Sequence, residues 1–379
     1  MVAHYRPNKN DANIVLFITG KIGNSLEGWY GSRSCFVAKD PEVLSYRNCF
    51  MLRYAILAAG EQKKHILVKI RRNPKMTSLQ QAIHADIHQN IPQEYSSLQA
   101  VYHHIMNGDE NLGSIRLLTC LEKYHAIVME EVPSRTLRQL MDRQVLHASH
   151  LPDELSDAAR KTGIWLHEFH QRIHSTEERQ YNTADLLHEV QEYAECIQAC
   201  SHDRVRASTI VESFADKLKN IQIQRATFTQ SHADMTCDNV LYSEERRVYV
   251  TDIKTRPAPI YSDLGLLLVH PETLKPQIFS SGNYYPESLL SKYRSQIMAG
   301  YFREAAGDPV LLRVYIALRV LDKWLMHEDL MRRYKGIKHL LSLPLAPYVS
   351  SYFLKLMKKH LANFAFIAAA LDLMQGNLL

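Results

Sequence analysis

Residues 232–242 read His232-Ala-Asp-Met-Thr-Cys-Asp-Asn-Val-Leu-Tyr242. This stretch begins as a polar segment and ends in three apolar residues, which are followed by the polar turn Ser-Glu-Glu-Arg-Arg at residues 243–247. A second β-forming run, Val248-Tyr-Val-Thr-Asp252, comes directly after that turn. Two such runs around a short polar turn predict a β-hairpin. The hairpin places Asp252 at the end of the strand that follows the polar loop.

The spacing of the polar residues in this region points to phosphoryl transfer. Asn239 lies five residues after Asp234, and Asp252 lies thirteen residues after Asn239. This is the layout H-x-D-x-x-x-x-N with a later metal-binding aspartate. One carboxylate accepts the proton of an attacking hydroxyl, while an amide and a second carboxylate hold Mg²⁺ against the phosphates. We therefore expect Asp234 to be the catalytic base, Asn239 and Asp252 to be metal ligands, and His232 to brace the loop.

A purely structural explanation competes with this interpretation. Asp and Asn are common in turns, where they cap or bend the backbone. Any one of these residues taken alone is better explained in that way. Four of them at these offsets, with a strand after them and a lysine upstream, favour a catalytic function.

The loop resembles the catalytic loop of the aminoglycoside phosphotransferase-like kinases. That family includes choline-kinase-like and other small-molecule kinases, and it has a protein-kinase-like fold. The resemblance runs over residues 50–268. It implies a kinase that uses ATP and Mg²⁺ as cofactors and phosphorylates a hydroxyl of a small molecule such as a sugar, an aminoglycoside or an amino-alcohol.

Shorter matches to the same family imply further site residues. Leu67-Val-Lys69-Ile is similar to the third strand, whose lysine holds the α- and β-phosphates, and Glu94 resembles its paired glutamate. Residues 126–133 look like the hinge that binds adenine through its backbone, which implies Glu130 and Val132 as cofactor-binding residues. The turn Ser262-Asp263-Leu-Gly resembles an acidic turn of these kinases, which implies that Asp263 braces the loop.

Several positions depart from the family pattern. Ala233 replaces the usual glycine after the loop histidine, Cys237-Asp238 replaces Pro-Gly, and Ile253-Lys254 replaces an aromatic and acidic pair. A glycine-rich phosphate loop has two candidates, residues 28–32 and 39–48, and neither is decisive. These departures leave an inactive kinase-like nucleotide-binding scaffold or sensor as the alternative. A protein kinase is disfavoured because Asp-Phe-Gly and Ala-Pro-Glu are absent.

The distribution of periodic segments predicts an α+β, bilobal protein-kinase-like fold. Residues 1–130 are expected to form a β-rich nucleotide-binding lobe, and residues 131–379 a helical catalytic and substrate-binding lobe. Strands are predicted at residues 14–18, 50–57, 65–70, 114–121 and 124–129, with one helix at 93–106. Helices are predicted at residues 136–143, 155–174, 183–220, 286–304, 311–334 and 348–374.

Charge, apolar runs and cysteine content indicate which partners and which cellular location to expect. The 379 residues carry 45 Lys and Arg against 40 Asp and Glu, a net charge of +5. This small excess is spread along the chain, so no nucleic acid partner is expected. The longest apolar runs fall short of the ~18 residues of a membrane span. The start of the chain shows no secretory signal, and the six cysteines are sparse, which predicts a cytoplasmic protein with reduced thiols. We expect a monomer or a homodimer.

The acceptor is the least determined feature. Tyrosines and histidines of residues 286–379 suggest a sugar or aminocyclitol site, whereas Asp263, Glu328 and Asp329 suggest a cationic substrate. Sequence alone does not decide between them, because fold analogy does not supply a substrate.

Overall fold

The computed structural model describes residues 3–59, 62–84, 91–105, 111–146, 154–173, 176–180, 182–200, 204–219, 225–303, 307–333 and 345–362. The chain divides into two compact units. The first comprises Met1–Ser134, Ser243–Glu245 and Tyr249–Ile253, and the second comprises Arg135–Tyr242, Arg246–Val248 and Lys254–Leu379. Among the described residues, no helix combines the length and the apolar content that crossing a membrane requires.

A seven-stranded antiparallel sheet forms the first unit, in the order β1-β3-β4-β5-β7-β6 with β2 paired to β4. Phe50, Leu52, Tyr54 and Ile56 alternate along β4 and are fully buried, as expected for a sheet with one face on the core. The strands are β1 Ala3–His4, β2 Cys35–Phe36, β3 Glu42–Ser45, β4 Cys49–Leu57, β5 Lys63–Arg71, β6 Leu117–Leu121 and β7 Ala126–Glu130. The helices are α1 Lys9–Tyr30, α2 Leu79–Ile83 and α3 Ile91–Ile105.

The strand predicted at residues 14–18 is wrong, because these residues belong to helix α1. The side chain of Asn8 caps the helix by accepting hydrogen bonds from the backbone N–H groups of Asn10 and Asp11. The buried residues of α1 recur at helical spacing and pack on the core of the sheet: Val15, Ile18, Ile22 and Leu26. Five apolar residues in a row are compatible with a strand or with a helix. The helical spacing of the buried residues over the whole of α1 distinguishes the two.

Both candidates for the phosphate loop overlap regular structure. Residues 28–30 lie in the last turn of α1, which ends at Gly31 with a φ of 88°. Residues 42–45 of the second candidate form β3. The other elements predicted in the first unit are confirmed as β4, β5, α3, β6 and β7.

Helices dominate the rest of the chain. They are α4 Leu137–Leu146, α5 Glu154–Glu168, α6 Thr183–Cys200, α7 Arg204–Lys219, α8 Tyr261–Val269, α9 Lys275–Phe279, α10 Glu287–Phe302, α11 Pro309–Arg332 and α12 Leu345–Ala362. Helix α5 continues into a π-helical turn over Phe169–Ile173. The strands are β8 Ser134–Thr136, β9 Glu177–Gln180, β10 Arg225–Ser231, β11 Val240–Ser243, β12 Val248–Val250 and β13 Arg256–Pro259, in two sheets ordered β13-β10-β9 and β12-β11-β8.

Two helical predictions need adjustment. The single helix expected over residues 183–220 is two helices, α6 and α7. Helix α12 ends at Ala362, and the remainder of the helix predicted to residue 374 lies outside the described residues. The predicted hairpin is present as β11 and β12.

The crossing of α5 and α10 is unusually close. A Cβ atom on Gly163 would lie 2.1 Å from the backbone oxygen of Ile297, and one on Gly300 would lie 2.0 Å from the backbone oxygen of Arg160. Only glycine allows two helix backbones to approach in this way. The crossing sets the position of the π-helical turn that follows α5.

Candidate active site

Lys69 is held at the centre of a charged cluster in the first unit. It lies on β5, opposite Met51 of β4 and Ile127 of β7, and only 8% of it is exposed. Its Nζ lies 3.1 Å from Oε1 of Glu94 and forms an ion pair with Asp252. We call these three residues, Lys69, Glu94 and Asp252, the Lys69 cluster. The structure thus brings three of the predicted site residues together.

The charges in the Lys69 cluster support one another. Burial alone would lower the pKa of Lys69, but the carboxylates of Asp252 and Glu94 outweigh that penalty and raise it above its usual value. Glu94 lies in the first turn of α3 and also accepts a hydrogen bond from Arg71. Lys69 is therefore a fixed ammonium, which suits a phosphate-binding residue.

Asp252 has a strained backbone. It follows the end of β12 with a φ of 57°, in the left-handed region that Asp tolerates better than most residues. Strained residues of this kind cluster at functional sites. About 40% of its side chain is exposed, so the carboxylate remains accessible.

The predicted hinge residues Glu130 and Val132 lie at and just beyond the end of β7. The Glu130 carboxylate accepts hydrogen bonds from Lys64 at 2.7 Å and from the Tyr30 hydroxyl at 3.2 Å. The carbonyl of Val132 accepts a hydrogen bond from the Ser134 hydroxyl at 2.9 Å. Within the part of the chain that the structure describes, the Val132 N–H has no acceptor. That amide is therefore a candidate donor to a bound group.

In the second unit, Asp263 organises the loop that contains Asp234. Its carboxylate accepts hydrogen bonds from the backbone N–H groups of His232 at 2.6 Å and Ala233 at 3.0 Å. It also lies 3.1 Å from Nε2 of His170, whose Nδ1 is 2.9 Å from the Tyr301 hydroxyl. Burial alone would raise the pKa of Asp263, but the hydrogen bond and charge of His170 hold it below its usual value.

Contacts within the loop hold Asp234 and Asn239. The backbone N–H of Asp234 donates to Nδ1 of His232 at 3.2 Å, and His232 is fully buried. The Asn239 side chain donates from Nδ2 to the carbonyl of Asp234 at 2.9 Å. Because this nitrogen donates within the loop, the carboxamide oxygen is the atom that suits a metal ion.

Lys254 is a partner of Asp234 that the sequence analysis missed. Its Nζ lies 2.9 Å from Oδ2 of Asp234, and its backbone N–H donates to the carbonyl of His232 at 3.1 Å. The signal was available, since Lys254 stands where the resemblance leads one to expect an acidic residue. Asp234 and Lys254 both line a cavity of about 260 Å³ in the second unit.

The structure accommodates the residues that depart from the pattern of the resembling kinases. Ala233 adopts a φ of 63°, the left-handed conformation that glycine adopts without strain. Cys237 is buried with its Sγ 2.9 Å from Nδ1 of His270, and Asp238 lies 3.5 Å from Arg138. These side chains fit the loop without opening it.

The acidic residues considered for a cationic substrate are already paired. Asp263 holds the loop, as described above. Glu328 is buried and accepts hydrogen bonds from Trp324, at 3.0 Å, and from Ser350. Asp329 accepts one from Arg333 at 2.9 Å. Groups of this chain therefore already engage these carboxylates, and the expectation that they bind a cation stays a prediction.

The predicted metal ligands have side chains of the kind that Mg²⁺ prefers. Asp252, in the first unit, offers a carboxylate, and Asn239, in the second unit, offers an amide oxygen; both are hard ligands. Among the described residues, no group of three or more His, Cys, Asp or Glu side chains is placed to hold a metal by itself.

Comparisons with known proteins show the fold. No protein-family model matches the chain, and no curated protein matches it in sequence. A glucosamine kinase in complex with glucosamine, ADP and inorganic phosphate is 11% identical over 93% of this chain and 86% of that chain, with a TM-score of 0.54. Crystal form A of a glucosamine kinase is 12% identical over 93% of this chain and 83% of its own, with a TM-score of 0.53.

A choline/ethanolamine kinase family protein from Mesorhizobium loti is also similar, at 12% identity over 92% of this chain and 99% of that chain, with a TM-score of 0.49. The glucosamine kinase structures confirm the α+β kinase-like fold that the sequence predicts. The resemblance to the aminoglycoside phosphotransferase-like kinases is confirmed at the level of the fold.

Proposed function

We propose that this chain, which has the fold of small-molecule kinases, is an ATP- and Mg²⁺-dependent phosphotransferase that phosphorylates a hydroxyl of a small molecule. The observation that carries the proposal is the placement of Asp234 at a cavity of about 260 Å³, on a loop that the buried Asp263 holds in place. The glucosamine kinase of similar fold, with its sugar, ADP and phosphate, supports the same class of reaction.

The N-terminal residues 1–130 are assigned to nucleotide binding. Lys69 binds the phosphates, and Glu94 positions its ammonium through their contact at 3.1 Å. The backbone at Glu130 and Val132 binds the adenine ring. Residues 131–379 supply the catalytic loop and the acceptor site, with Asn239 and Asp252 as metal ligands and His232 as a brace. The proposed setting is the cytoplasm, with a small molecule and no nucleic acid as partner, in a monomer or homodimer.

The transfer step assigns one proton to Asp234. The Asp234 carboxylate takes the proton of the acceptor hydroxyl while the acceptor oxygen forms its bond to the γ-phosphorus. The bond from that phosphorus to the bridging oxygen breaks, and its electron pair leaves on ADP. Asn239 and Asp252 would hold Mg²⁺, which would neutralise charge on the phosphates. The Lys254 ammonium lies 2.9 Å from the Asp234 carboxylate. This ion pair must therefore break before Asp234 can contact the acceptor hydroxyl.

The same contact favours a second candidate, a nucleotide-binding scaffold without turnover. In that protein the Lys254–Asp234 ion pair would be permanent, and Asp234 would never meet an acceptor. The two candidates differ in what Asp234 does.

Phosphate transfer by Asp234→Asn separates them. We expect transfer to a panel of sugar, aminoglycoside and amino-alcohol acceptors to fall by ~10²–10⁴-fold, the usual contribution of a general base. ATP affinity measured by calorimetry should change by no more than a few-fold, since Lys69, Asn239 and Asp252 remain. Asp238→Asn is the matched control, because Asp238 belongs to the same loop and pairs with Arg138. Equal transfer by wild type and Asp234→Asn would remove Asp234 from catalysis, and absence of transfer from both would favour the scaffold.

A further inference from the structure

The cavity beside Asp234, here called the Asp234 cavity, has an unusual balance of charge. Four cationic side chains line it, together with three carboxylates. Two of the carboxylates are already satisfied: Asp234 pairs with Lys254, and Asp263 accepts from the loop backbone and contacts His170. Of the lining carboxylates, only Asp322 then remains to balance three cations, Arg256, Arg319 and Lys323.

Two of these cations are buried. Lys323 and Arg319 lie one helical turn apart on α11 and are 9% and 6% exposed. Arg319 donates from Nη2 to the Ser262 hydroxyl at 2.6 Å, but its Nε is buried without an acceptor. Within the described part of the chain, the Lys323 ammonium also has no carboxylate or hydrogen-bond partner. Burying unpaired cations is costly, so such groups are expected to receive a partner.

The neighbourhood of α11 is accordingly positive. Burial, followed by the charges of Lys323 and Arg138, lowers the pKa of His270 to about 3. Asp322 reduces this positive charge and does not cancel it. These positive charges would repel a cationic acceptor. An anion would instead accept hydrogen bonds from the donors that lack a partner.

We propose that the acceptor carries an anionic group, a carboxylate or a phosphate, which Lys323, Arg319 and Arg256 bind beside Asp234. This inference rests on the proposed phosphotransferase function and names the substrate class of the same site. The volume of about 260 Å³ lies below the ~300–1,000 Å³ of pockets for drug-sized ligands. The anion is thus part of a small acceptor or one arm of a larger one.

Matched acceptors test this charge preference. Glycerol, D-glycerate and glycerol 3-phosphate form one series, and glucose, gluconate, glucose 6-phosphate and glucosamine form another. We expect at least one anionic member to be phosphorylated with a kcat/KM at least 10-fold above that of its neutral counterpart, and the carboxylate and phosphate arms identify which anion is preferred. Equal or better transfer to the neutral or cationic members would overturn the proposal while leaving the kinase function in place.

Binding without nucleotide gives a second readout that does not depend on turnover. Calorimetry with the same anionic compounds should show affinity that falls about 10- to 100-fold in Lys323→Met, the worth of a hydrogen bond to a charged group. Lys323→Arg retains the charge and should retain binding. Arg256→Met should lose only a few-fold, because Arg256 is exposed.

Two control variants separate the Asp234 cavity from other anion sites. Arg332→Met removes a cation from the exposed end of α11 and should not change the affinity. Lys358→Met should also leave it unchanged, since Lys358 is exposed on α12 and does not line the Asp234 cavity. Anion binding that is lost in Lys323→Met but is never followed by transfer would support the anion site and contradict the proposed function. Affinity for none of the anionic compounds, or affinity equal in wild type and Lys323→Met, would refute the anion site.

Discussion

Lys69 is the residue whose environment constrains the proposed nucleotide site most tightly. Its ammonium is buried and forms ion pairs with both Glu94 and Asp252. We expect Lys69→Met to weaken Mg²⁺-ATP binding by at least about 10-fold, because it loses charge-assisted hydrogen bonds to phosphate. Excess chelator should weaken ATP binding by wild type as well. Calorimetry measures both effects.

The stability of Lys69→Met needs its own control. Removing the lysine takes one hydrogen-bond partner from the buried Glu94 and leaves Arg71 as its remaining cation, so we expect a loss of ~1–3 kcal/mol in the free energy of unfolding. Lys69→Arg keeps the charge and should recover most of this stability. If ATP affinity were the same in wild type, in Lys69→Met and with chelator, the assigned nucleotide site would be wrong.

Ala233 carries strain that a smaller residue would relieve. At a φ of 63° an L-residue with a Cβ pays ~1–2 kcal/mol, while glycine loses ~0.5–1 kcal/mol more conformational entropy on folding. Ala233→Gly should therefore raise the free energy of unfolding by roughly 0.5–1 kcal/mol, measured by urea denaturation. Ala226→Gly, in strand β10, is the control and should lower it. A destabilised Ala233→Gly would show that the loop does not hold this conformation in solution.

Among the secondary-structure elements, the helix pair α5 and α10 carries the residues that anchor the loop of residues 232–239. Helix α5 leads into the π-helical turn with His170, and α10 carries Tyr301, so both ends of the hydrogen-bonded chain to Asp263 depend on this pair. A π-helical turn shifts the residues that follow it around the helix axis, and such turns are frequent at functional sites.

The close approach of the two helices at Gly163 predicts that alanine at this position destabilises the protein, the opposite of its usual effect in a helix. Gly→Ala in a helix normally stabilises by up to ~1 kcal/mol, but a Cβ at Gly163 would lie 2.1 Å from a backbone oxygen of α10. We expect Gly163→Ala to lower the free energy of unfolding by ~1–3 kcal/mol, the cost of overpacking. Gly20→Ala in α1 has open space and should instead stabilise. Thermal and urea unfolding of the two variants measure the difference, and the same sign in both would contradict the helix crossing.

Across the whole molecule, buried histidines predict how stability varies with pH. Burial lowers the pKa of His270 to about 3 and that of His327 to about 4. Between pH 6.5 and these values the unfolded chain binds protons that the folded chain does not, so the free energy of unfolding falls as the pH falls. Each histidine contributes up to ~1.4 kcal/mol per pH unit in this window.

Urea unfolding of wild type, His270→Gln and His327→Gln at pH 7, 6 and 5 tests this expectation. The variants should lose part of the slope against pH, whatever their absolute stability. The range stays above pH 4.5 because Asp263 and Glu272, whose pKa values are lowered, act only in more acidic solution. An unchanged slope in both variants would show that these imidazoles are not buried in the neutral form.

The loop of residues 232–239 and the hairpin after it were predictable because their signals are local. Turn residues, the alternation of β11 and β12, and the spacing of Asp234, Asn239 and Asp252 can be read along the chain without knowing its path. The resemblance carried by these residues also led to the kinase-like α+β fold, which the structure and its neighbours confirm. The roles assigned to the site residues stay predictions.

Tertiary structure alone decided the remainder, because it depends on contacts between segments distant in sequence. Residues 14–18 fit a strand or a helix, and packing of the longer pattern against the sheet selected the helix. The pairing of Lys254 with Asp234 joins residues 20 positions apart. Arg319 and Lys323 of α11 line the same cavity as Asp234, although they lie more than 80 positions after it in the sequence. The residue types and the spacing of the loop can be read from the chain alone, whereas the charge that lines the Asp234 cavity depends on folding, because its side chains come from segments that are distant in sequence.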